Sequence, residues 1–213
     1  QQLSGARNVT LSLTADRTGS LVISEVYDGG ETHANQYPWG KFSELYNNSD
    51  TTVYLDGIVM GIAFGWSLAS VVTCEANLPW REDPLGVWSR EFHQFPGTGT
   101  DYPVAPGEAV TVALDAVDHS QVDRTLLDLS LADFELEGFA DTDNPDVPNM
   151  PARGPTTDPR GHGMSVHPVT VVFLSLPVDV ASLENRVHAN GNKHARIPAD
   201  RILDVSHGFW ESA

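Results

Sequence analysis

Cysteine is almost absent from this chain: Cys74 is the only one in 213 residues. An intrachain disulfide is therefore excluded, and so are Cys-rich zinc sites and haem-attachment motifs. Stability outside the cell would have to come from core and packing. Lysine is nearly as scarce. Only Lys41 and Lys193 are present, so ten of the twelve basic residues are Arg. Against them stand 29 Asp and Glu, for a formal net charge of -17. A surface this acidic repels a phosphate backbone and anionic lipid, which argues against nucleic acid and an anionic membrane as partners. An acidic, Lys-poor surface suits a salty medium, where hydrated cations offset self-repulsion.

Long apolar runs are also missing. The longest, Ile58 to Cys74, is interrupted by Gly61, Gly65 and Ser67. It falls short of the roughly 20 apolar residues of a membrane span and reads as buried strand and loop. The chain begins Gln1-Gln2-Leu3-Ser4, with no basic n-region or apolar h-region. That start fits a mature form after signal removal, or a trimmed chain. Hydrophobic residues make up 40% of the sequence, enough for a real core, so an acidic disordered tail is excluded.

No long amphipathic helix can be drawn; the dominant period is two. Val9 to Thr14 alternates strictly, and Leu21 to Tyr27, Phe42 to Tyr46, Thr52 to Met60, Ala109 to Leu114 and Val169 to Leu176 read as further strands. The last of these is the most apolar and is expected at the centre of a sheet. Asn47-Asn48-Ser49-Asp50 is dense turn chemistry, so FSELY-NNSD-TTVYLDG predicts a hairpin or a tight corner. Leu126 to Leu136 fits a short helix or a loop with a β-bridge, and Val180 to Val187 a helical turn. Residues 141–168 hold six prolines and three glycines, a long irregular loop. Short strands with Gly, Pro, Asn and Asp turns predict an all-β sandwich, one domain over residues 1–213.

The segment LVISEVYDGG, a variable insertion, then KFSELYNNSDTTVYLDG resembles the core of bacterial lamin-tail-like domains. Downstream, FPGTGTDYPVAPGEAVTVALDAVDH, LDLSLADFE, DTDNPDVPN and RIPADRILDV resemble an uncharacterised family of secreted bacterial surface proteins built on that domain. The resemblance runs from about Leu13 to Val205. It implies an Ig-like sandwich, export to the cell surface and no catalytic residues. The residues themselves also permit a plainer role, in which Glu25, Glu44 and Asn47 shape corners of the sandwich. Phe42, Glu44 and Tyr46 share one strand face in that reading.

Four constellations could carry chemistry. Asp141, Asp143, Asn144 and Asp146, with Asn149 close behind, offer oxygen ligands in one loop, as Ca²⁺ requires. The pattern is not an EF-hand, because Pro145 sits at the fifth position and no Gly-x5-Glu follows. A solvated turn set by Asn144-Pro145 is the alternative. The setting favours cations: from Asp101 to Asp146 there are twelve acids and one base, Arg124. His162 and His167, five apart, with His119 elsewhere, could take Zn²⁺ or Cu²⁺, but a site needs three or four ligands. Gly65-Trp66-Ser67-Leu68-Ala69, followed by Asp204 and His207, looks like the nucleophile elbow of a Ser hydrolase. The crossover helices such an elbow needs are missing. Of the five tryptophans, two lie in residues 78–96. There Trp80, Trp88, Phe92 and Phe95 could stack on sugars or dock on a partner protein, or simply cover one edge of the sandwich.

These readings point to an exported, non-enzymatic surface module with a structural or interaction role. Self-association into an extracellular assembly, through exposed strand edges, is the expected partnership. No cofactor is required, with Ca²⁺ as the candidate. A carbohydrate-binding or adhesive module is the first alternative and a Ser hydrolase the second.

Overall fold

The structure is a computed structural model that describes residues 20–27, 37, 39–63, 80, 82–138, 142–155, 171–188 and 191–207. Fourteen strands are present among the described residues: β1 (Leu21–Tyr27), β2 (Phe42–Asn47), β3 (Val53–Tyr54), β4 (Val59–Ala63), β5 (Gly86–Ser89), β6 (Glu91–Gln94) and β7 (Pro103–Val104), followed by β8 (Ala109–Ala113), β9 (Phe134–Leu136), β10 (Asn149–Met150), β11 (Val171–Ser175), β12 (Asn185–Val187), β13 (Lys193–Pro198) and β14 (Ile202–His207). The only helical pieces among the described residues are short 3₁₀ turns, at 119–121, 180–182 and 199–201. The fold is nearly all β, as the period of two predicts. No helix among the described residues is long and apolar enough to cross a membrane.

The described strands form three larger sheets and one small one. The first runs β1-β2-β8-β9-β10, the second β14-β11-β4-β6, the third β12-β13-β5, and β3 pairs β7. Pairing is antiparallel except β8–β9 and β9–β10, which are parallel. Alternation along the strands lets the first and second sheets each pack apolar clusters on both faces. Leu45, Val110, Val112, Phe134 and Leu136 of the first sheet meet Met60, Ile62, Val172 and Leu174 of the second. The opposite face of that second sheet carries Val59, Phe92 and Phe173, which pack on Ala195 and Ile197 of β13. A smaller cluster, Ala113, Ala116, Leu129 and Val147, lies on the outer side of the first sheet. The second sheet is thus the middle layer, and β11 lies inside it, between β14 and β4. Gly61 is required there: a Cβ would collide with Phe92, Phe173 and the Glu91 carbonyl.

Some expectations need refinement. The Thr52 to Met60 run is two strands, β3 and β4, because Asp56-Gly57 turns the chain and Gly57 takes φ 74°. The FSELY-NNSD-TTVYLDG segment is the corner, not the hairpin: β2 pairs β1 and β8, while β3 pairs β7. Leu126 to Leu136 is the loop with a bridge (Asp118 to Asp128), ending in β9. The aromatic stretch 78–96 holds β5 and β6. Trp88 and Phe92 sit on these strands, whose partners β13 and β4 come from elsewhere in the sequence. The Val9 to Thr14 strand lies outside the described residues.

Candidate functional site

Polar side chains of the resembling segments act on the backbone. Asn47 is fully buried at the end of β2. Its Nδ2 donates to the carbonyls of Thr51 and Val104, both at 2.8 Å. Its Oδ1 accepts from Ser49 N at 3.0 Å and Ser49 Oγ at 2.7 Å. Every hydrogen-bonding position of the amide is therefore taken. On the same strand Phe42, Glu44 and Tyr46 share the less buried face, and Ser43, Leu45 and Asn47 the buried one. Ser24 Oγ donates to Glu44 Oε1 at 2.7 Å, where β1 bulges between Ile23 and Glu25. Asp56, also buried, accepts from the N–H groups of Gly99, Asp101 and Tyr102. Burial alone would raise its carboxyl; those donors outweigh it and hold the pKa below the ordinary range.

The acidic stretch folds over the outer side of the first sheet. Glu135, fully buried on β9, accepts from Ala116 N and Asn144 N at 3.0 Å. Asp115, also buried, accepts from Thr142 N at 3.1 Å. Burial raises both carboxyls; nearby Asp143 and Asp115 raise Glu135 further. Asn144 Nδ2 donates to the carbonyls of Ala116 and Ser130, and its Oδ1 accepts from Asp146 N. Asp143 accepts from Asn149 Nδ2 at 2.7 Å, while Asn149 Oδ1 is buried without a hydrogen-bond partner. Asp141 lies outside the described residues. Among those described, no group of three or more His, Cys, Asp or Glu could hold a metal ion. Asn144 serves here as a clasp between two loops.

His119 is buried in the same region. Its Nε2 is 2.9 Å from the Asp115 carbonyl and its Nδ1 3.1 Å from the Tyr37 hydroxyl. The Nε2–H donates to the carbonyl, so Nδ1 accepts from Tyr37. Burial, then the Asp115 charge, raises the Tyr37 hydroxyl. His162, His167 and Ser67 lie outside the described residues. The Asp204 carboxylate accepts from Ile23 N at 2.8 Å, joining the edges of the first two sheets.

The four aromatic candidates separate. Phe92 and Phe95 are core residues of two different clusters and present no surface to a ligand. This corrects their grouping with Trp80 and Trp88, because Phe92 on β6 and Phe95, just past its end, point to opposite faces of the second sheet. Trp80 and Trp88 do meet, with ring centroids 4.7 Å apart. Trp88 is buried on the outer face of the third sheet; its Nε1 donates to Asp83 Oδ2 at 2.9 Å. The Arg186 guanidinium stands 4.6 Å from its ring and that of Arg196 5.7 Å. Trp80 is half-buried, edge-to-face with His188 at 5.6 Å and His194 at 5.5 Å. It has φ 49°, the only positive φ among described non-glycine residues, a strain of roughly 1 kcal/mol. Asp83, Glu184, Arg186, His188, His194 and Arg196 carry no spacing signal that would have linked them to Trp80. Cross-strand pairing of β12, β13 and β5 brings them there.

No family model matches the chain, and no curated protein matches it. Among solved structures it is similar to a DUF4876 family protein from Bacteroides thetaiotaomicron VPI-5482. The TM-score is 0.65 at 21% identity, over 89% of this chain and 53% of that one. The chain thus spans about half the length of that protein. The likeness is one of fold.

Proposed function

We propose that the chain is an exported, non-enzymatic surface module with a structural or interaction role, working without a required cofactor. One observation carries this reading. Four polar side chains of the resembling segments, Asn47, Asp56, Glu135 and Asn144, are buried or half-buried and hydrogen-bonded to backbone. They hold loops in place and do not converge on an open cleft. Such a molecule acts through its surface. β12 is an edge strand of the third sheet with all three residues exposed, and is the natural place for strand-to-strand contact with another copy. The test has two parts. Membrane-impermeant labelling of intact cells of the source organism should reach the chain. Sedimentation at physiological salt should show species larger than the monomer. A chain shielded from the label loses the exported role, and a strictly monomeric one loses the assembly.

A further inference from the structure

We propose that Trp80 is a stacking platform for a neutral carbohydrate, with the exposed Glu184–Arg186 pair as its polar rim. The inference rests on the interaction role above and gives it a ligand class. Two observations converge. Trp80 is half-buried, and its backbone is held in the left-handed region, an outlier of the kind that gathers at ligand clamps. Trp88 beneath it is fixed by Asp83 and by two guanidinium groups, so the pair is rigid before any ligand arrives.

Charge selects the ligand class. Arg196 pairs with Asp83 at 3.4 Å and with Glu184 at 2.7 Å, and Arg186 pairs with Glu184 at 2.8 Å. Two cations and two anions leave this cluster neutral in a chain of net charge -17. An anionic ligand would want unmatched guanidinium groups, and a cationic one unmatched carboxylates. A polyol wants both, because a planar carboxylate and a planar guanidinium each bridge vicinal hydroxyls, while the aromatic face takes the C–H side of the sugar ring. The Glu184 and Arg186 side chains are about 40% exposed, so they can be reached without unfolding the sheet.

Native affinity electrophoresis of the full chain in gels containing laminarin, soluble starch, xylan or galactomannan tests this. At least one polysaccharide should retard the wild type, with a dissociation constant that stays within twofold across ionic strength. Trp80→Ala should weaken that binding at least tenfold. Glu184→Ala/Arg186→Ala, confined to exposed side chains, should weaken it at least threefold and serves if Trp80→Ala does not fold. Free mobility of the wild type in all four gels overturns the proposal. So does retardation that Trp80→Ala and the rim variant leave unchanged, or binding abolished by salt. A monomeric chain that is retarded keeps this site and loses the assembly; an assembled chain that is not retarded does the reverse.

Discussion

The Asn47 amide donates to the Val104 carbonyl at 2.8 Å, tying the end of β2 to β7 across 57 residues. A second hydrogen from the same nitrogen holds Thr51, so one side chain both shapes the corner and docks the small β3–β7 sheet. Asn47→Ala is expected to destabilise the fold by about 3 kcal/mol, since two buried carbonyls lose their donor. Asn47→Asp should cost nearly as much, because a carboxylate cannot donate. Urea unfolding measures both; a loss under about 1 kcal/mol would remove the corner role.

Asp56 organises the 97–102 loop from beneath. Gly97 has φ 116°, and a Cβ there would collide with the Asp56 carboxylate. Gly97→Ala is therefore expected to lower stability by roughly 2 kcal/mol or more. The Asp56 carboxyl titrates lower in the folded chain than its ordinary 3.8. Its contribution is fully present above that value and is lost as pH falls below it. Asp56→Asn should remove this acid-limb dependence in melting experiments.

His93 supplies a separate window. It is buried on β6, its Nδ1 has no hydrogen-bond partner, and burial lowers its pKa from 6.5 to about 4. The unfolded chain therefore takes up a proton that the folded chain refuses. Stability is full above pH 6.5 and falls between there and pH 4, by roughly 3 kcal/mol in all. His93→Gln should flatten melting temperature against pH over that interval. A profile with the wild-type slope would disprove the assignment.

Asn144 tests whether the acidic loop needs a cation. Its amide already bridges Ala116, Ser130 and Asp146. Asn144→Ala should cost about 2 kcal/mol with or without calcium, and a chelator should leave the wild-type melting temperature unchanged. A chelator-induced fall would instead give Ca²⁺ a structural place beside Asp143 and the unpartnered Asn149 Oδ1.

Much of the fold is legible along the chain. Short apolar and β-branched runs mark β1, β2 and β8, and the apolar VTVVFLSL run announces β11 as a central strand. Strands β5 and β6 escape because both faces of Trp88, Phe92 and their neighbours are covered, so no alternation shows. The Trp80 cluster was half legible. Two tryptophans eight residues apart mark it in the sequence, but their histidine and arginine neighbours come from about a hundred residues downstream. Phe92 and Phe95 had the right chemistry for a binding face. Strand parity sent them into two cores. The acidic stretch announced a local concentration of charge; the loops it clasps were set by backbone donors that leave no mark on composition.

The hydrogen bond from Ile23 N to Asp204 ties the first described strand to the last, 181 residues apart. Synthesis runs from one to the other, so this seam between the first two sheets cannot form until residue 204 has left the ribosome. The edge of β1 meets its Asp204 acceptor only after β2, β4, β8 and β11 have all been made.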